Sequence, residues 1–306
     1  MKKRTLTILT LLFLSGCTLT NLAAKGNQNH HITILDQKTL AYSPRQNLPF
    51  TELSDLAYDP KNKRLYMIGD KGYFYQFKAT FGTKIQQLQY LKAFPIRDQK
   101  NRVTHPDSEG LTRTSKGELI VSFEHRPQVS KISTTGKILN DYPLPKKLQN
   151  KRHYQNSNSI FEAVAYHPRY GILVAAEHPI DHAPNNQQSI YALSGKTWHF
   201  QLQPYANNAI TAMEVMDDGN LLIIERAYNG LTKPFVVCLT KLYLNRCNAK
   251  QECPTQRLAT FDSSKGWGYN NFEGLTKVGK NRYLMISDNN NRAILPTTLL
   301  YFEVHP

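Results

Sequence analysis

No stretch of this chain carries a familiar nucleophile or cofactor signature. There is no Gly-x-Ser-x-Gly elbow, no P-loop, no His-Glu-x-x-His pair and no Rossmann glycine triplet. Pattern support for a conventional serine esterase, a P-loop nucleotide enzyme, a zincin and a dinucleotide enzyme is therefore missing. Cysteine is scarce, four residues in 306, with no Cys-x-x-Cys pair. One of the four lies at position 17, so a zinc site with four thiolate ligands in the folded domain is excluded by count. No segment shows a clean amphipathic helix period of useful length, which argues against a two-domain α/β chain. Acids are also few, 23 against 38 Lys and Arg, for a formal charge of +15. The basic residues are scattered and not interleaved with aromatics in a block, so nucleic acid is not the expected partner. A basic surface still suits small anions, anionic esters or acidic headgroups.

What the chain does have begins at its N-terminus. Met1-Lys2-Lys3-Arg4 is a basic start, and Thr5 to Leu14 is an apolar run too short to span a bilayer. The boundary Leu14-Ser15-Gly16-Cys17 resembles the lipobox of bacterial lipoproteins, with Cys17 as the residue that is lipidated. This predicts a signal peptide over 1–16, a lipidated tether over 17–30 and one domain over 31–306. Thr18, rather than Asp, resembles the sorting pattern of outer-membrane lipoproteins. The expected location is the periplasmic face of the outer membrane, with the membrane reached through the lipid anchor. An exported chain favours disulfides. Cys247 and Cys253 flank a polar loop and are the expected pair, while Cys238, in the apolar run Phe235 to Leu239, is the expected buried free thiol.

With 17 Tyr and 13 Phe the composition favours sheet, and a repeat of about fifty residues organises it. The copies begin at Ser54-Asp55-Leu56-Ala57, Ser108-Glu109-Gly110-Leu111, Phe161-Glu162-Ala163-Val164, Ile210-Thr211-Ala212-Met213 and Phe272-Glu273-Gly274-Leu275. Some fifteen residues on, each has an apolar run ending in a second acid: Asp70, Glu124, Glu177, Glu225 and Asp288. Turn chemistry such as Asp59-Pro60-Lys61-Asn62 and Met216-Asp217-Asp218-Gly219 lies between the two strands. A third strand and a more polar fourth follow in four copies. The fifth copy has three strands, and Ile32 to Tyr42 is the expected fourth. The pattern predicts an all-β fold, a β-propeller of about five four-stranded blades, with six blades as the alternative.

First strands of a propeller line its axis, so the acids of the repeat are expected to converge. Counted this way, nine carboxylates fall in ten equivalent positions. Crowded like charges raise one another's pKa or demand a cation, and carboxylates suit a hard cation such as Ca²⁺. Asp55, Glu109, Glu162, Glu273 and Asp288 are the candidate metal ligands, and Glu109, Glu162 and Glu273 the candidate catalytic residues. Arg126, Arg226 and Arg292 are candidates for contacting an anionic ester. Bases also follow several of these acids directly, so pairing at strand ends is the competing structural reading, above all for the second-strand acids. His105 and Asp107 are placed on a channel-mouth loop.

The phrases Asp107-Ser108-Glu109-Gly110-Leu111, Leu222-Ile223-Ile224-Glu225-Arg226 and Asn271-Phe272-Glu273-Gly274-Leu275, then Ser287-Asp288-Asn289-Asn290, resemble the phytase-like β-propeller family described as having esterase-like activity. The likeness spans about residues 50 to 304. It implies an exported propeller that hydrolyses esters, phosphate esters among them; separately, a small anionic ester is the expected substrate and a monomer the expected state. The phosphate-binding basic cluster of the Ca²⁺-dependent propeller phytases is not visible, so phytase activity itself is not implied. A non-catalytic binding or scaffold propeller of the cell envelope, and a sugar-lactone hydrolase with one axial metal, are the alternatives.

Overall fold

The computed structural model describes residues 31–305 except 105, 182, 185, 231, 293 and 294. The expected signal peptide, the expected tether with Cys17, and His105 lie outside the described residues. Twenty strands form five antiparallel four-stranded sheets. Blade 1 is β2 (Leu53–Asp59), β3 (Arg64–Gly69), β4 (Tyr73–Phe81) and β5 (Ile85–Pro95). Blade 2 is β6 (Ser108–Arg113), β7 (Leu119–Phe123), β8 (Gln128–Ile132) and β9 (Ile138–Asp141). Blade 3 is β10 (Ala163–His167), β11 (Gly171–Ala175), β12 (Gln187–Ala192) and β13 (Thr197–Gln201). Blade 4 is β14 (Asn208–Val215), β15 (Leu221–Ala227), β16 (Val236–Leu242) and β17 (Thr255–Asp262). Blade 5 is β18 (Asn271–Gly279), β19 (Arg282–Asp288) and β20 (Thr297–Val304), completed by β1 (Ile32–Leu40), which pairs with β20 from Ile32↔Val304 to Leu40↔Thr297. The N-terminal stretch therefore closes the ring, and the blade number is five.

The core is divided into wedges. Each of five apolar clusters fills the gap between two successive blades. Tyr75, Phe77 and Met67 of blade 1 meet Ile286 and Tyr301 of blade 5 in one of them. Ile190 and Trp198 of blade 3 meet Ile223 and Leu221 of blade 4 in another. Second and third strands are covered on both faces by neighbouring blades, which explains their continuous apolar runs. Among the described residues, helix is confined to the single turn Lys146–Gln149 and two 3₁₀ turns, and none of it is long or apolar enough to cross a membrane. Cys247 and Cys253 form a disulfide beside β17, and Cys238 is a buried free thiol on β16.

The five first strands pack side by side around the axis. Four of them carry a register shift at one shared position, between Leu53 and Asp55, Ser108 and Leu111, Ile210 and Ala212, and Phe272 and Gly274. In blade 3, Glu162 donates its N–H to Ala175, the residue paired with Ala163, so the same crowding occurs there. A bulge leaves one residue out of the ladder and turns its side chain. The bulged residues are Ser54, Glu109, Glu162, Thr211 and Glu273.

Candidate acidic site at the mouth of the propeller

This register corrects the repeat as read from sequence in two blades. Asp55 is equivalent to Gly110, Ala163, Ala212 and Gly274, one residue past the bulge, and its own bulged residue is Ser54. In blade 4, Ile210 pairs with Glu225 as Leu53 pairs with Gly69 and Phe272 with Ser287. Arg226, not Glu225, is therefore the counterpart of Asp70, Glu124, Glu177 and Asp288. Of the ten positions in the two rings, seven hold carboxylates, and the others hold Ser54, Thr211 and Arg226. The runs ending in Asp70 and in Glu225 look alike in sequence, and only the ladder shows that they differ by one residue.

The two displaced acids have other work. The Asp55 carboxylate accepts the N–H of Leu56 at 2.8 Å, of Leu111 in blade 2 at 2.7 Å and of Leu275 in blade 5 at 2.9 Å. It ties three blades together at the axis. Burial pushes its pKa well up, and the three N–H donors pull against that rise. Glu225 is fully buried and accepts from the Gln203 N–H at 2.7 Å and the Asn208 amide at 2.6 Å. It closes the edge of blade 4 away from the acids.

Of the remaining seven acids, Glu109, Glu162, Glu177, Glu273 and Asp288 lie close enough to act on the charge of Arg226, while Asp70 has Lys71 at 3.9 Å. Arg226 Nη2 meets Glu177 at 2.9 Å, and its Nη1 meets Glu273 and, at 3.1 Å, the Asn271 side-chain oxygen. The Asn271 amide donates to Glu273 at 2.7 Å, and Ser159 Oγ donates to Glu177 at 2.9 Å. Burial works against the Arg226 charge, but Glu273, Glu162, Glu177 and Glu109 outweigh it and hold the guanidinium firmly protonated. One cation cannot balance so many acids. Burial, then Glu162, Asp107 and Glu273, drive Glu109 well above the carboxylate range. Burial and Glu177 do the same to Glu162 against the pull of Arg226. Burial raises Glu273 to about 8 despite Arg226, helped by Asp288 and Asp70. Glu124 rises to about 8 through burial, Asp107 and Glu177, and Asp70 to about 7 through burial, Asp288 and Glu52. Asp288 reaches about 6 through burial and Glu52, with the Asn290 N–H opposing.

Two groups have carboxylate or imidazole atoms all within 4.8 Å of one another: Glu124, Glu162 and Glu177, and Asp107, Glu124 and His125. The first is the denser carboxylate set, since Glu124 and Glu162 are buried, while its Glu177 also meets Arg226 at 2.9 Å and His178 at 3.7 Å. The carboxylates fit a hard divalent cation in type and crowding. Glu109, Glu162 and Glu273 thus face one cluster as the repeat suggested, and Asp288 stands at its edge. Asp70, Glu124 and Glu177 belong to it equally. Glu52, one residue before its bulge-bearing strand, had no place in the repeat, yet its charge acts on both Asp70 and Asp288. Arg226 is at the centre. Arg126 is exposed two residues past Glu124, and Arg292 is exposed on a cavity beside Arg226.

Comparison with known proteins gives the arrangement its kinship. No curated protein matches the chain. Among solved structures, it is similar to the extracellular domain of a putative one component system from B. thetaiotaomicron, at 16% identity and TM-score 0.40 over 84% of this chain and 28% of that one. The chain thus spans little more than a quarter of that protein. It is similar to virginiamycin B lyase from Staphylococcus aureus at 8% identity and TM-score 0.39, covering 89% of this chain and 99% of the other. The WD40 domain of Neurospora crassa Pan2 aligns at 9% identity and TM-score 0.34, over 90% and 96%. The family model described as phytase-like, esterase-like activity of phytase, matches residues 48–291. Those residues contain every acid of the cluster, and the chain belongs to this phytase-like propeller family.

Proposed function

We propose that the protein is a divalent-cation-assisted hydrolase of small anionic esters, phosphate or carboxylate, working at the mouth of the propeller. The observation that carries this is the crowding of Glu124, Glu162 and Glu177 within 4.8 Å, with Glu109 and Glu273 beside them and the part-buried Arg226 paired to Glu177 and Glu273. Such a set is neutralised either by protons or by a cation. Glu124, Glu162 and Glu177, supported by Glu109, would hold Ca²⁺. A bound divalent ion supplies Lewis acidity and a more acidic water. The chain's own groups cover the remaining needs. Arg226 and Asn271 present donors to an anionic oxygen. Glu273, paired with Arg226, keeps that guanidinium oriented while water adds to the phosphorus or carbonyl carbon, and the proton that water gives up goes to the leaving oxygen. Products are the acid and the alcohol.

The test joins binding to turnover. Calorimetric titration with Ca²⁺ should show a site, and Glu162→Gln should weaken it at least tenfold while the melting temperature of the EDTA-treated protein stays level or rises. Hydrolysis of 4-nitrophenyl phosphate or acetate should fall with the same variant. A wild-type protein with neither a Ca²⁺ response nor hydrolysis would leave the binding or scaffold propeller as the account.

Export and lipid anchoring through Cys17 belong to the same proposal and rest on Leu14-Ser15-Gly16-Cys17. Cys17→Ala should leave unprocessed precursor or a soluble form. Processed variant recovered with the membrane fraction overturns the anchor.

A further inference from the structure

Beside the acid cluster, between blades 4 and 5, lies a cavity of about 620 Å³ lined by Arg226, Tyr228, Phe235, Tyr269, Asn271, Asn290, Arg292 and Leu295. Its size is that of a small-molecule site. Tyr228 and Tyr269 are 47% and 39% exposed, two of the four large apolar side chains that stand out among the described residues. Phe235, buried, lies between them with ring centroids 6.0 Å from Tyr228 and 5.7 Å from Tyr269. The three rings make a cradle with an aromatic floor and two aromatic sides, spaced as aromatic pairs prefer. The Tyr269 hydroxyl donates to the Lys233 carbonyl at 2.9 Å, which fixes that side.

The charges of the cavity are unequal. Arg226 is already matched by Glu177 and Glu273. Arg292 has no carboxylate in ion-pair range among the described residues, so the cavity offers one uncommitted guanidinium. Arg226 and Asn271 belong to both the cavity and the acid cluster, so a molecule seated on the cradle presents its attached group to the acids.

We propose that this cavity is the specificity pocket of the ester site and takes an aryl ester bearing one anionic group. The ring lies on Phe235 between Tyr228 and Tyr269, and Arg292 meets the anion. The assignment rests on the ester-hydrolase reading for its chemistry, but the pocket's preference can be measured separately. It disfavours a polyphosphorylated ring, for which one guanidinium and four apolar walls provide too little countercharge.

Binding of phenylphosphonate, methylphosphonate and inositol hexakisphosphate to the processed chain would be measured calorimetrically, in Ca²⁺ and again in EDTA. Phenylphosphonate should bind about tenfold tighter than methylphosphonate in both buffers. Tyr228→Ala should abolish that ratio and leave methylphosphonate and Ca²⁺ affinity unchanged. Arg292→Gln should weaken both monophosphonates by about tenfold. A ratio near one, a ratio indifferent to Tyr228→Ala, or tightest binding of inositol hexakisphosphate would overturn the pocket. A Tyr228-dependent ratio in a protein without Ca²⁺ binding or hydrolysis would uphold the pocket and remove the hydrolase reading instead.

Discussion

Asp55 on a first strand and Arg226 on a second each depart from what the other blades hold at that position, and they do opposite things. Each replaces what the other blades have there, a small residue in one case and a carboxylate in the other. Asp55 spends its oxygens on backbone N–H groups of three blades. Arg226 brings a positive charge into a ring of acids that would otherwise repel one another. The difference predicts separable phenotypes. Asp55→Ala leaves the N–H groups of Leu111 and Leu275 buried without a partner, and each such loss costs about 1–3 kcal/mol. The variant should unfold at lower urea, losing about 2–6 kcal/mol, while Ca²⁺ affinity per folded molecule is retained. Denaturation monitored with a parallel Ca²⁺ titration checks it. A variant of wild-type stability that no longer binds Ca²⁺ would restore Asp55 to the ligand set.

At the level of the strand, the bulge decides what the site contains. It lifts Glu109, Glu162 and Glu273 out of the ladder, and the next residue then meets the neighbouring blade closely. A Cβ on Gly274 would lie 2.7 Å from Asp55 Cα and 2.8 Å from Ile286 Cγ2, and one on Gly110 2.7 Å from the Val164 nitrogen. Glycine stands at those positions because another backbone occupies the space. Gly274→Ala should therefore cost about 1–3 kcal/mol by overpacking, seen as a lower melting temperature, whereas wild-type stability would show that blades 1 and 5 part easily at the axis. Much of this was legible in the sequence. Hairpin turns, apolar second strands and polar fourth strands mark the blades, and the absence of a fourth strand after β20 points to Ile32 to Tyr42. The exact residue of each ring was not legible in blades 1 and 4. Ser54-Asp55 beside Ser108-Glu109, and Glu225 beside Asp288, invite an alignment by chemical type, while the register is set by hydrogen bonds that composition does not reveal. Arg292 was legible as a base near the fifth blade, but the aromatic cradle beside it was not. Tyr228 and Phe235 lie at the two ends of the β15–β16 connection and Tyr269 in the β17–β18 connection, so the three have no shared period.

For the molecule as a whole, the acid cluster makes stability depend on pH in an unusual direction. Unfolded Asp and Glu titrate near 3.8 and 4.5, whereas in the folded chain Asp288, Asp70, Glu124 and Glu273 titrate at about 6, 7, 8 and 8. Between these limits the folded state binds more protons than the unfolded one, so stability falls as pH rises. The metal-free protein should melt higher at pH 5 than at pH 8, and Ca²⁺ should restore stability at pH 8 far more than at pH 5. Melting curves in EDTA and in Ca²⁺ at both pH values test this, and a higher melting temperature at pH 8 in EDTA would contradict it. Ring closure has a consequence of another kind. Ile32 pairs with Val304, so the edge of β20 has no partner until the two ends of the domain meet. Contacts so distant along the chain make folding slow, and an open strand edge is a template for pairing with other chains. β1 is the first strand of the ring to be made and pairs with the last, so the ring can close only once β20 has been made.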